Sequence, residues 1–303
     1  MTPLPRIVFD ATMTERDVSI SRPDKVLWPD EGVTKQDFAD YLDAVADDMV
    51  PWLRERPLTL VRAPDGVGKH RYYQKAAPTY APDWIATVRI PAPSAGRDVD
   101  YVVCQDAPTL RWLGNQAVVE FHPAPVRRDR LDRPDLLVVD VDPPEGAFDA
   151  AVEVVFLVLE ILEDLGLAAG IKTTGGKGLH VVCPIERRVD QEALRGAATA
   201  ITDIAIERRP DLVTDAFRKA KREGRVMLDP SRNGLGATIV APYSPRARAD
   251  GTVSFPVVPE ELANVRPTDF TLRTAAGELD RPGPKRWRTL GDERGRLPAR
   301  LLG

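Results

Sequence analysis

Cysteine and histidine are scarce in this sequence, two and three residues in 303. Cys104 and Cys183 lie far apart, and neither sits in a CxxC or CxxH spacing. A disulfide framework and a thiolate zinc site are therefore not expected. No apolar run approaches the ~20 residues that cross a bilayer, so no membrane partner is expected. The opening MTPLPRIVFDATMTERD lacks a basic stretch followed by an apolar core, which argues against a secretory signal and for a cytoplasmic location. There is no internal repeat and no low-complexity tract. An excess of positive charge is also missing: 42 Lys and Arg face 46 Asp and Glu, a formal net charge of −4. By itself that balance argues weakly against a nucleic-acid partner.

What is present is ordinary in bulk and uneven in detail. Hydrophobic residues make up 43% and charged residues 29%, the mix of a soluble globular enzyme. Positive charge is gathered rather than spread. Residues 214–250 hold Arg218, Lys219, Lys221, Arg222, Arg225, Arg232, Arg246 and Arg248 against four acids, and the chain is basic again from Arg281. Local patches count for more than the sum when the ligand is a phosphate chain; a solvated surface is the plainer reading.

Periodicity predicts a mixed α/β or α+β domain rather than a doubly wound sheet. One helix is expected from Thr34, its N-cap, through Phe38, Tyr41, Leu42, Val45, Met49 and Trp52, which share a face. Strands are expected at 56–66, 71–75 and 100–105, then a helix passing into a strand that ends near His122. LLVVDVD (136–142) reads as a strand, 146–167 as an amphipathic helix closed by Gly166, and 190–210 as another helix. Strand pairs resembling hairpins are expected at 171–183 and at 225–244. Beyond 263, Pro, Gly and Arg increase, which suggests a loosely packed C-terminal extension, either ordered against the domain or a linker.

The strand 136–142 raises a question of chemistry. Side chains two apart share a face, so Asp140 and Asp142 lie about 6.5–7 Å apart on one side. Like charges so close favour a cation between them, and carboxylates are ligands that Mg²⁺ and Mn²⁺ prefer. A pair of strand-end acids capping a turn is the plainer alternative. Asp229 ends a second apolar strand, RVMLD; three acids from two strand ends would suit a two-metal site, although an Asx turn before Pro230 also accounts for it. TTGGKGLH (173–180) adds glycines that let backbone N–H groups approach an anion, with Lys177 as a point charge and His180 on the outgoing strand. It lacks the GxxxxGK[ST] spacing, and a simple hairpin turn would also explain it. His122 is a further strand-end candidate.

Taken together, SRPDKVLWPDEGVTKQD (21–37), RPLTLVRAPDG and RYYQK (56–75), VVEFHP (118–123), LLVVDVDPPEG, TTGGKGLHVVCP and RVMLDPSRNGLGATIVAPYSPRAR (225–248) resemble a known family. It is the polymerase domain of the bacterial non-homologous end-joining ligase, within the archaeo-eukaryotic primase superfamily. The resemblance spans about residues 18–262 in the family's order and spacing. It implies two mixed β-sheets packed with helices around a central cleft, and template-dependent nucleotidyl transfer favouring Mn²⁺ and ribonucleotides over deoxyribonucleotides. By the same resemblance Asp140, Asp142 and Asp229 hold two metal ions, and Thr174, Lys177 and His180 meet the incoming triphosphate. His122, Arg222 and Arg246 fall on further nucleotide positions, Tyr72 and Tyr73 on a paired-aromatic stacking position, and Lys25 and Lys35 on residues that hold a DNA 5′-phosphate.

Departures are Thr174 for the usual Ser, Val61 where Lys is frequent, and Arg232 in place of Gln. No KxDG adenylation motif or phosphoesterase domain is seen. The expectation is thus a stand-alone module, catalytic over 1–262 with an extension at 263–303. Its partners would be gapped or broken DNA with a 5′-phosphate, a separate ATP-dependent DNA ligase and the end-binding Ku protein. An end-bridging scaffold without catalysis and a metal-dependent phosphohydrolase or nuclease are the competing readings.

Overall fold

The structure, a computed structural model, describes residues 16–92 and 96–302; most of the N-terminal stretch read above for a signal lies outside them. Strands β1 (Val26–Trp28) and β2 (Val33–Thr34) form a ribbon leading into helix α1 (Lys35–Ala44). Thr34 caps α1 in a reciprocal box with Asp37, satisfying two otherwise orphaned backbone donors. The single helix expected here is two: Val45 (φ −98°, ψ 1°) leaves helical geometry and α2 (Ala46–Leu53) follows. Strands β3 (Leu58–Arg62) and β4 (Tyr72–Gln74), ribbon β5 (Thr87–Ala92) and β6 (Arg97–Val102), helix α3 (Ala107–Asn115) and strand β7 (Val118–Pro123) complete the N-terminal half. Of these, β4, β3 and β7 form one antiparallel sheet.

After a short ribbon, β8 (Val126–Arg127) and β9 (Arg130–Pro134), the second half is built on β10 (Leu136–Asp142), α4 (Phe148–Asp164), β11 (Gly170–Thr173), β12 (Leu179–Pro184), α5 (Gln191–Arg208), β13 (Val213–Thr214), β14 (Val226–Asp229), β15 (Pro256–Val257) and α6 (Pro282–Leu290). Six strands pair in the order β13-β14-β10-β12-β11-β15. The architecture is α+β, as the alternation of strand and helix patterns predicts. Alternation along β10 decides what faces what. Leu137, Val139 and Val141 belong to the main core with Val154, Val158, Ile201 and Ala205 of α4 and α5. The opposite face is split: Leu136 and Val138 pack with Trp52, Ile239 and Trp287, while Asp140 and Asp142 continue that face toward the cleft.

Two further expectations need correction. Residues 236–244 are not a strand and do not form a hairpin with 225–229; β14 pairs with β10 instead. The segment makes only two backbone bonds to β7, Ile239 N to Pro123 O (3.2 Å) and Ala241 N to Phe121 O (2.9 Å). Pro242 and Pro245 lack the N–H groups that would extend a ladder. The residues beyond 263 are not loosely packed. Phe270 stacks on Phe255 with ring centroids 4.1 Å apart, Leu290, Leu297 and Leu301 are buried, and Trp287 Nε1 donates to Ile171 O at 3.0 Å. Pro282 and Pro284 lie in the first turn of α6, and Gly291 caps its end.

Candidate active site

Strand register assembles the centre of the site. Lys172 of β11 stands opposite His180 of β12, His180 opposite Asp140 of β10, and Asp140 opposite Asp229 of β14. Directly opposed residues of neighbouring strands point to the same side, so a row of cation, imidazole and two carboxylates crosses the sheet. Asp142 lies two residues on, past the end of the β12 pairing. The row opens on a cleft of about 760 Å³ whose wall includes Asp140, Asp142, Asp229, Thr174, Lys177, His180, His122, Arg222, Arg246 and Tyr73. Sequence reasoning named all ten, and the fold brings them together. Tyr72 lies next door with Tyr73, Glu120 and Arg246 in a pocket of about 280 Å³. Val61, buried opposite Tyr73, lines it too. Lys25 and Lys35 are elsewhere, in a small pocket of about 120 Å³ with Ser21, Arg22, Arg62 and Asn115.

Every acid of the centre is matched by positive charge. Arg222 is buried and tied to the carbonyls of Ala216 (3.0 Å) and Phe217 (3.2 Å); it donates to Asp142 Oδ2 at 2.8 Å. Lys177 Nζ stands 3.4 Å from Asp142 Oδ1. Arg232 Nε donates to Asp140 Oδ2 at 2.9 Å and lies 3.6 Å from Asp229 Oδ2. His180 Nε2 is 3.4 Å from Asp140 Oδ1. Burial alone would raise the Asp140 carboxyl, but His180 and Arg232 outweigh it and hold the group well below the usual carboxylate range. His180 is itself pushed down to about 4, by burial first and then by Lys172. Its imidazole is therefore neutral at neutral pH, with Nδ1 lacking a hydrogen-bond partner among the described residues.

The glycine loop is tight for identifiable reasons. Thr174 closes it, its N–H and its hydroxyl both donating to Gly178 O at 3.0 Å, while Gly176 N donates to Thr174 Oγ1 at 3.3 Å. A Cβ at Gly178 would fall on the Val141 carbonyl oxygen, and one at Gly175 (φ +64°) would sit 2.7 Å from Arg246 Cγ. Arg246 Nη1 in turn donates to Thr174 O at 2.9 Å, fastening the loop to the far side of the cleft.

Two residues escaped the sequence reading. Glu120, buried on β7, accepts from His122 Nε2 (2.7 Å) and Ala247 N (2.7 Å) and forms an ion pair with Arg246 Nε (3.3 Å). Burial would raise its carboxyl, yet His122 and Arg246 bring it down to about 2. The signal was available: Glu120 is two positions from His122 on one strand and so shares its face. Lys172 is fully buried, donates only to Ser254 Oγ at 2.8 Å, and is driven well below the usual lysine range by burial and then by Arg246. Only the strand pairing reveals its place behind His180.

Three carboxylates on two adjacent strands are a hard-oxygen donor set that suits Mg²⁺ or Mn²⁺, and each already attracts a cationic group. Among the described residues no three His, Cys, Asp or Glu side chains are drawn up as a ready ligand shell; arginine and lysine nitrogens stand between the acids instead. The donor chemistry fits a divalent cation provided those nitrogens yield. No helix among the described residues is long and apolar enough to cross a membrane.

The three acids and the glycine loop face one cleft, and comparison with known proteins places the chain among nucleotidyltransferases of the primase-polymerase type. Residues 34–286 match the LigD primase-polymerase domain. The chain is 33% identical over 287 residues to the multifunctional non-homologous end joining protein LigD of Pseudomonas aeruginosa, covering 94% of this chain and 34% of that protein. The bifunctional LigD of Bacillus subtilis is 30% identical, over 86% of this chain and 42% of its own length. The solved polymerase domain of Mycobacterium tuberculosis ligase D, in complex with DNA, superposes with a TM-score of 0.84 at 30% identity, covering 94% of this chain and all of that one. The chain belongs to the LigD primase-polymerase domain family, whose members are metal-dependent nucleotidyltransferases. It spans less than half the length of these curated relatives.

Proposed function

We propose that this protein extends primer 3′ ends on a template, preferentially with ribonucleotides, at gaps or broken DNA ends during repair. The observation that carries the proposal is the register that sets Asp140 against Asp229, with Asp142 beside them, facing Lys177, His122 and Arg246 across one cleft. Asp140, Asp142 and Asp229 would hold two Mn²⁺ or Mg²⁺ ions. Bound there, such ions would make the primer hydroxyl more acidic and neutralise the departing pyrophosphate.

The chain's own side chains do the rest. Lys177, half exposed at the mouth of the glycine loop, swings from Asp142 to the triphosphate. Arg246 and His122, held from behind by Glu120, orient the phosphates and sugar, and His180, 3.4 Å from Asp140 Oδ1, meets the triphosphate beside that acid. Thr174 shapes the loop that carries Lys177. Exposed Tyr73, with Tyr72 beside it, offers a face on which a base can stack. Arg222 fixes Asp142. Lys25 and Lys35, in their separate pocket, bind the 5′-phosphate across the gap. Residues 1–262 would carry these roles, with 263–303 as a packed extension. Preference for ribonucleotides and partnership with an ATP-dependent DNA ligase and Ku rest on the family resemblance, and a cytoplasmic, nucleoid-associated location on the sequence reading.

Primer extension on a short gapped duplex tests the reading, varying the 5′-phosphate, Mn²⁺ against Mg²⁺, and NTP against dNTP. Wild type should extend best with Mn²⁺ and ribonucleotides, and the Asp140→Ala/Asp142→Ala variant should lose about 10³-fold or more, some 4 kcal/mol of barrier. Absence of extension by wild type, with 5′-phosphate-dependent binding intact, would replace this reading with a DNA end-bridging module. The cation already paired with each acid would then be its explanation.

A further inference from the structure

The cations at the three acids are not alike. Arg222 is buried and anchored by backbone carbonyls, and it meets Asp142 from one side. Arg232 instead reaches into the gap between the two acids that oppose each other across the strand pair, 2.9 Å from Asp140 and 3.6 Å from Asp229. Its backbone is fixed there. Asp229 accepts from Ser231 N at 2.9 Å to open the turn Pro230–Asn233. Asn233 then clamps the turn to β10, accepting from Val138 N and donating to Val138 O, both at 2.8 Å. The side chain is held only through Nε: it is 47% exposed, and its two terminal nitrogens have no hydrogen-bond partner among the described residues.

We infer that Arg232 is a removable internal cation, which fills the gap where Asp140 and Asp229 would hold a divalent ion and leaves it when a phosphate engages the guanidinium. The inference rests on the proposed metal-dependent reaction. A guanidinium and a divalent ion cannot both sit between the same two carboxylates without strong repulsion. The guanidinium is half exposed while the acids are only 11–12% exposed, so it can leave only as another cation takes its place, and a planar guanidinium with two free nitrogens matches a phosphate in bidentate fashion. Because Arg232 stays charged at all working pH, only movement clears the site. Metal binding and phosphate binding are thereby coupled, and linkage makes the coupling reciprocal.

The test measures metal binding rather than turnover, by titrating Mn²⁺ into the protein and following free Mn²⁺ by electron paramagnetic resonance. Arg232→Gln should bind one Mn²⁺ at least about ten-fold more tightly than wild type, and Arg232→Lys, which keeps the charge, should remain close to wild type. A gapped duplex with a 3′-deoxy primer should tighten Mn²⁺ binding in wild type but not in Arg232→Gln if a DNA phosphate draws the arginine away. A non-hydrolysable nucleoside triphosphate should do so instead if the nucleotide is the source, and the difference between the two proteins cancels metal carried by the nucleotide. Equal Mn²⁺ affinity in wild type and Arg232→Gln overturns the inference. A separate control keeps the two readings apart: Mn²⁺ binding that is unchanged by Asp229→Ala in every background would overturn the carboxylate metal site itself.

Discussion

Strand β10 has an acid at each end, and the two ends treat it differently. Just before the strand, Asp135 is 2% exposed and accepts two bonds from Arg56 (2.6 and 2.8 Å) and a third from Arg127 (2.6 Å). Arg56 is itself only 1% exposed. At the other end, Asp140 meets Arg232 at 2.9 Å and Asp142 meets Lys177 at 3.4 Å, both side chains nearly half exposed, although buried Arg222 also holds Asp142 at 2.8 Å. The difference lies in the exposed cations, Lys177 and Arg232, which only the acids at the C-terminal end of the strand carry. A bidentate pair sealed from water cannot open without stranding a buried charge, whereas a half-exposed pair exchanges its partner for another ion. Acid and arginine content therefore says little about function; the exposure of the cation says much.

Breaking the sealed end gives the largest effect on stability. Arg56→Ala would leave Asp135 buried with one partner fewer and should cost about 3–5 kcal/mol, read as a lowered midpoint in urea denaturation. The Asp140→Ala/Asp142→Ala variant should shift that midpoint less while losing extension. If the two variants destabilised equally, the proposed division between a structural and an exchangeable end would be wrong.

Glu120 sharpens the comparison because it combines both designs: it is buried like Asp135 but works inside the cleft. Glu120→Gln keeps the shape and removes the charge that holds His122 and Arg246. Extension should fall about 10–100-fold, the usual cost of losing a residue that orients a functional group, chiefly as a raised KM for the nucleotide. A pure loss of stability with unchanged kinetics would assign Glu120 to the frame instead.

These distinctions mark where sequence stopped being enough. The strands 136–142 and 179–184, the glycine loop and the Thr34 cap are all local patterns, written in alternation, spacing and capping chemistry, and the structure has them. Of the ten residues around the cleft, Asp140, Asp142, Asp229, Lys177, His180 and His122 could be named from strand ends and the glycine loop, whereas Tyr73, Thr174, Arg222 and Arg246 follow only from the family resemblance. Residues 236–244 look like a strand by hydrophobicity, but two prolines stop the ladder. The tail looks loose by composition, but Trp287 and Phe270 lie buried in the fold. Arg232 could be seen as a departure; its position between two acids depends on a turn clamped by Asn233 to a strand more than ninety residues earlier, which no local pattern contains.

Lys35 inverts the comparison, a buried cation with no carboxylate among its hydrogen-bond acceptors, and it gives the smallest but most readable effect. Its ammonium donates to Ser21 O (2.8 Å) and Ser21 Oγ (2.9 Å). Burial, then Arg22 and Lys25, lowers it to about 8. The sign follows: a lysine whose folded value lies below its unfolded one binds fewer protons when folded, so between about 8 and 10.5 stability rises with pH. Phosphate binding runs the other way, because it needs the charged form. Affinity for a 5′-phosphorylated gap, relative to the unphosphorylated one, should weaken about ten-fold between pH 7 and 9, and Lys35→Arg, which stays charged, should flatten that profile. A flat profile in wild type would remove Lys35 from the phosphate site and leave Lys25, whose partner Asp65 stands 3.1 Å away, as the group to examine. Should the profile be steep in both proteins, the titrating group belongs to the DNA or to another residue of the pocket.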